Sequence, residues 1–125
     1  MHRSRLTAAL VDVPNSTYGS SLRFWAGALG VEPQFDDDNP EYADLGEATP
    51  GLQVFVQQVG APARVHLDIE TDDVEAEVTR LEALGATRVE QVKSWWVMRD
   101  PAGLLFCVVR VQLPDAFSAH AHTWP

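Results

Sequence analysis

The sequence has little from which to build a disulfide framework, a basic surface or a membrane span. One of its 125 residues is a cysteine, Cys107, so an internal disulfide is excluded and a reducing compartment suits the chain. Lys and Arg number 9 against 18 Asp and Glu, a formal net charge of −9. That balance opposes a nucleic-acid backbone or an anionic membrane surface, and neither is expected as a partner. No apolar run approaches the roughly 18 residues that a membrane helix needs. The start, MHRSRLTAALVDVPN, is interrupted by Asp12 and has no continuous secretory core, so a cytoplasmic protein is expected.

What is present is ordinary globular composition, 46% apolar and 22% charged, in a length that suits one domain over residues 1–125. Arg5 to Val13 is short, mostly apolar and closed by Pro14-Asn15-Ser16, which predicts a buried strand running into a helix. From Thr17 to Leu29, apolar residues at Tyr18, Leu22, Trp25, Ala26 and Leu29 fall at helical spacing, and Gly30 stands where a left-handed C-terminal residue is wanted. Three short strands are expected next, at Glu32–Asp36, Tyr42–Leu45 and Leu52–Gln58. The acidic stretch from Asp36 to Glu41 reads as a solvated turn, because its spacing is not that of a calcium loop.

After Ala61-Pro62-Ala63 the same order restarts. Arg64–Glu70 predicts a strand. Asp72 or Asp73 can cap a helix whose apolar stripe is Val74, Val78, Leu81 and Leu84, with Glu75, Glu77, Arg80 and Glu82 turned to water. Strands follow at Thr87–Val92, Trp95–Arg99 and Leu105–Val111, the last two joined by the turn Asp100-Pro101-Ala102-Gly103. Aligning the halves sets Leu10-Val11-Asp12 against His66-Leu67-Asp68 and Ala28-Leu29-Gly30 against Ala83-Leu84-Gly85. The implied fold class is α+β: two βαβββ modules, each a curved mixed or antiparallel sheet with one helix, enclosing a cleft suited to a small organic ligand. Module one spans about 5–59 and module two about 64–111, and the tail 112–125 is read as a frayed terminus despite His120 and His122.

Residues Arg64 to Arg110 resemble the second module of glyoxalase-like domain proteins of the vicinal oxygen chelate superfamily, and Phe24-Trp25 with Ala28-Leu29-Gly30 resemble the first. The resemblance covers about residues 5 to 111. It implies paired βαβββ modules, frequent homodimers, and activities that include lyases, isomerases, dioxygenases and antibiotic-sequestering resistance proteins. It also implies a divalent metal held from the first and last strands of each module. Carried over, those positions are Leu10, Phe55 or a near neighbour, His66 and Cys107, of which only two have a donor atom. A register slip of two would bring in Gln53 or Gln57. No metal or other cofactor is therefore expected.

His66 is the candidate catalytic residue, as a hydrogen-bonding group or a general base near neutral pH. Cys107 reads first as a core thiol, with no cation evident to activate it. The expected ligand-binding set is Trp25, Gln53, Phe55, Gln57, His66, Trp95, Trp96, Met98 and Cys107. Trp95 and Trp96 must point to opposite faces of their strand, so one packs under a helix and the other lines the cleft. The function expected is binding of a small molecule in an apolar, aromatic-lined cleft with a degenerate metal site. The alternatives are a metal-dependent lyase, isomerase or dioxygenase, and an antibiotic-sequestering protein.

Overall fold

The computed structural model describes residues Met1 to Pro125. The elements, in chain order, are β1 (His2–Pro14), α1 (Asn15–Leu29), β2 (Tyr42–Thr49), β3 (Leu52–Val59), β4 (Arg64–Thr71), α2 (Val74–Ala83), β5 (Thr87–Val92), β6 (Trp95–Arg99), β7 (Leu105–Arg110), α3 (Pro114–His120) and β8 (His122–Trp124). The fold is α+β, and the strand–helix–strand repeat expected from the sequence is present. Its contacts divide the chain into a unit of residues Ala8–His66 and a unit combining Met1–Thr7 with Leu67–Pro125.

In the unit Ala8–His66, β3 lies between β2 and β1. β1 and β3 run parallel, with Leu10 opposite Phe55 and Asp12 opposite Gln57. Period-two alternation then sorts the side chains. Val13 and Val56 join Ala43 and Leu45 in a core covered by Tyr18, Leu22 and Ala26 of α1. Leu10, Asp12, Phe55 and Gln57 therefore belong to the opposite face. α1 ends at Gly30, whose φ of 68° is the left-handed conformation that favours glycine. The strand expected at Glu32–Asp36 shrinks to one bridge, between Gln34 and Asp44. Pro33 has no N–H to donate, and Asp36 binds the Asp38 N–H and the Asn39 side chain instead, closing a turn.

In the other unit the strand order is β4-β7-β6-β5, and β8 pairs with the start of β1. β4 and β7 are parallel, with Asp68 opposite Cys107. Asp73 caps α2 by accepting from the Ala76 N–H at 3.0 Å. Beneath α2, Val78, Met98 and Val108 form a core with Leu81, Trp96 and Phe106 packed around it. In the turn before β7, Asp100 Oδ1 accepts from the N–H groups of Ala102 and Leu104.

Two expectations fail in this unit. Glu77 is not turned to water. It is fully buried, with His2 Nε2 at 2.7 Å and a bidentate Arg80 at 2.8 and 2.9 Å. The tail is not frayed either: after α3, β8 pairs antiparallel with β1, setting His2 opposite Trp124. The Trp124 indole donates to Ser4 Oγ at 2.8 Å, and the Arg80 guanidinium stands 3.8 Å from its ring centroid. One guanidinium thus ties the buried Glu77 to the C-terminal strand.

Candidate functional site

Asp12 interrupts an apolar strand, and its carboxylate is completely buried. Moving an unpaired carboxylate out of water costs several kcal/mol, so such a group persists only with compensating partners. Two cationic or basic partners come from the start of β4. His66 Nδ1 donates to Asp12 Oδ2 at 2.5 Å, and Arg64 Nε reaches the same oxygen at 3.3 Å. The second oxygen, Oδ1, is buried and accepts no hydrogen bond.

Asp12 and His66 interact tightly because both side chains are nearly or wholly shielded, with 0% and 11% of the side chain exposed, whereas Arg64 is 38% exposed. A carboxylate that takes the Nδ1 proton fixes the imidazole's orientation and leaves the lone pair of the neutral ring on Nε2. That is the arrangement of an oriented proton acceptor, and an imidazolium formed there is stabilised by the adjacent negative charge.

The remaining sequence-derived residues separate into groups. Gln57 is registered against Asp12 and Phe55 against Leu10, so both share the face that carries Asp12, and Gln53, opposite Ala8, follows by alternation. Phe55 also meets the Tyr42 ring edge-on at a centroid distance of 6.2 Å. Trp25 lies on α1, exposed and edge-on to Phe24 at 5.1 Å. Trp96 is the tryptophan that packs under a helix, and Trp95 alternates to the other side of β6. Met98 shares the Trp96 face and is wholly buried beneath α2, so it cannot line an open face of the sheet.

Sequence reasoning missed Asp12 and Arg64. The signal for Asp12 lay in the internal repeat, which aligns Asp12 with Asp68, so that a carboxylate recurs at the equivalent strand position of each half. Asp68 also bears on metal binding. His66 and Asp68 alternate onto one face of β4, and Asp68 is registered against Cys107, so that the ligand atoms of the three lie within 4.8 Å of one another. An imidazole, a carboxylate and a thiolate form a three-donor set of the kind that holds a catalytic zinc-type ion with one position open. The donors fit such an ion, although Leu10 and Phe55 contribute none.

Residues 9–109 match the sequence profile of the glyoxalase-like domain family. The chain belongs to that family. Among curated proteins none matches the sequence significantly. In structure the glyoxalase-like chain is similar to a hypothetical protein, BH1468, from Bacillus halodurans C-125, with 12% identity and a TM-score of 0.65 over 88% of this chain and 96% of that one. It is also similar to a Mn(II)-bound glyoxalase from Novosphingobium aromaticivorans, with 19% identity and a TM-score of 0.60 over 90% of this chain and 43% of that one. A methylmalonyl-CoA epimerase bound to methylmalonyl-CoA is similar as well, with 11% identity and a TM-score of 0.59 over 87% and 96% of the respective chains. At these identities the likeness establishes the fold of the glyoxalase-like chain and not its chemistry.

Proposed function

We propose that this glyoxalase-like protein binds a small organic molecule at His66, with the buried Asp12 holding the ring in place and Gln57, Gln53 and Phe55 completing the contact surface. The observation that carries this reading is the 2.5 Å contact between His66 Nδ1 and a carboxylate with no exposed surface. An apolar pair would fill the same space at lower desolvation cost, so the retained carboxylate points to a role beyond packing.

The chemistry such a pair offers is transfer of a single proton. A proton leaving an O–H, or a C–H beside a carbonyl, passes to His66 Nε2. Asp12 stabilises the resulting imidazolium, and return of the proton elsewhere on the ligand gives an isomerisation without net redox change. The test is a binding screen of small carbonyl compounds, monitored through the ring signals of His66 by NMR. Binding should perturb those signals, vanish in His66→Ala and weaken about tenfold in Asp12→Asn, the cost of one oriented charge-assisted contact. Ligands that bind His66→Ala as tightly as wild type would refute the reading.

A second reading has its own observation, the donor set of His66, Asp68 and Cys107. Here the protein would be a metal-dependent lyase, isomerase or dioxygenase. An ion bound there would supply Lewis-acid chemistry, and Asp12 would act as the outer partner that orients a liganding histidine. Stoichiometric divalent metal in purified protein, lost in Cys107→Ala and in His66→Ala, would establish this reading over the metal-free one.

A further inference from the structure

Most of the protein's few cations are committed. Arg5 pairs with Glu70, Arg64 with Asp12, Arg80 with Glu77, and Arg88 with Glu75 and Glu82. Arg3 is spent on the carbonyls of Phe117, Ser118 and Ala121. The other four are Arg23, Lys93, Arg99 and Arg110, none of which has a carboxylate partner. Two of these four, Lys93 and Arg110, line the same groove, a space of about 830 Å³ within the unit formed by Met1–Thr7 and Leu67–Pro125.

In a chain of net charge −9, two uncompensated cations on one concavity are unexpected if the groove serves only as surface. The acidic residues on its rim cancel them only in part. Glu75 is held bidentately by Arg88 at 2.7 and 3.2 Å, which also keeps its carboxyl below the usual range, whereas Asp72 accepts the Arg3 backbone N–H at 2.8 Å and keeps its charge, so the lining retains an excess of one cation. Trp96, Val74 and Val111 form the apolar part of the groove's lining, beside the polar Thr71, Gln91 and Ser94. Trp96 is held in place by the core beneath α2 and by the Arg88 guanidinium 4.9 Å from its ring centroid. Lys93 sits at φ 51°, the only non-glycine residue of the chain in the left-handed region. That conformation is strained for lysine and turns the β5–β6 hairpin at the groove's rim.

We infer that this groove is a second ligand site, separate from Asp12 and His66, which takes a small organic carboxylate by pairing its anion with Lys93 and Arg110 and laying its apolar body on Trp96. The chemistry assigned to the groove is recognition, with Thr71 and Ser94 as further hydrogen-bonding groups of its lining. A planar apolar body suits the indole wall, and a carboxylate suits the guanidinium fork of Arg110.

Benzoate titrated into the full chain tests the inference, followed by NMR through the Trp96 indole N–H and the Lys93 and Ser94 backbone amides. Saturable shifts confined to these groups are expected, with benzamide, which lacks the charge, binding about tenfold or more weakly. Lys93→Asn is the informative variant because asparagine tolerates the left-handed conformation, and Arg110→Gln removes the charge of an exposed side chain while keeping it polar. The double variant should lose about tenfold or more in affinity while His66→Ala binds benzoate as wild type does. Absence of saturable shifts at Trp96, or benzoate binding that survives the double variant, overturns the proposal. Loss of binding in His66→Ala with retention in the double variant also overturns it, by placing benzoate at the other site.

Discussion

The coupling between Asp12 and His66 can be measured directly by a double-mutant cycle. Asp12→Ala removes a fully buried carboxylate from both His66 and Arg64. Hydrogen bonds to charged groups contribute about 1.5–3 kcal/mol, and shielding of both side chains places the Asp12–His66 pair in the upper part of that range. The Asp12–Arg64 pair is longer, at 3.3 Å, and its guanidinium is 38% exposed, so screening should hold it to about 1 kcal/mol or less. Urea denaturation of wild type, Asp12→Ala, His66→Ala and the double variant at neutral pH should therefore give a coupling energy of about 2 kcal/mol or more. The parallel cycle with Arg64→Ala should give less than half of that. Total stability for a domain of this size is about 5–15 kcal/mol, so Asp12→Ala should stay folded and remain measurable. Additivity of Asp12→Ala and His66→Ala to within about 0.5 kcal/mol would sink the claim that the carboxylate orients the ring. Equal coupling to His66 and Arg64 would do the same, by making Asp12 a general counter-charge.

Other consequences can be checked by the same denaturation method. Burial pushes the Glu77 carboxyl up, but hydrogen bonds from Arg80, His2 and Ser4 outweigh it and hold the carboxyl below the usual carboxylate range. A depressed folded value stabilises the protein above the unfolded pKa, so the stability gap between wild type and Glu77→Gln should be full at neutral pH and close as pH falls through the acid range; a constant gap would contradict the assignment. Trp124→Ala removes the indole bond to Ser4 and the Arg80 stack, and should cost about 2–3 kcal/mol, whereas a frayed tail would give no loss. Met98→Ala should cost about 2–5 kcal/mol, which separates a core methionine from one that lines a ligand surface.

The elements that local chemistry specifies were legible in the sequence. Alternation fixed β3, β5 and β6, the Asp73 cap fixed the start of α2, and Gly30 fixed the end of α1, because each depends on residues only a few positions apart. What failed depends on partners far along the chain. Nothing near Trp124 announces that Ser4 and Arg80 will receive it, 120 and 44 positions away by their numbering, and so β8 read as a loose end. Glu77 has the helical phase of a solvated residue, and only the arrival of His2 across 75 positions makes its burial tolerable. Met98 and Trp96 share one face by parity, but which face α2 covers is a tertiary fact.

The same limit explains why the candidate site was half seen. Asp12, Glu70 and Glu77 are each an acid completely removed from solvent, and in the sequence they look alike. The structure separates them by saturation. Glu70 takes Arg5 on one oxygen and the Gln112 and Leu113 N–H groups on the other, at 2.8, 2.6 and 3.1 Å, which anchors the chain into α3. Glu77 receives His2 and Arg80 on its two oxygens and ties α2 to β1. Asp12 places both of its partners on Oδ2 and leaves Oδ1 buried without a donor. A buried acceptor without a donor costs about 1–3 kcal/mol, and of the three fully buried acids only Asp12 has an oxygen in that position. Saturation therefore assigns Glu70 and Glu77 to the scaffold, and its absence at Asp12 is what the role proposed for Asp12 and His66 accounts for.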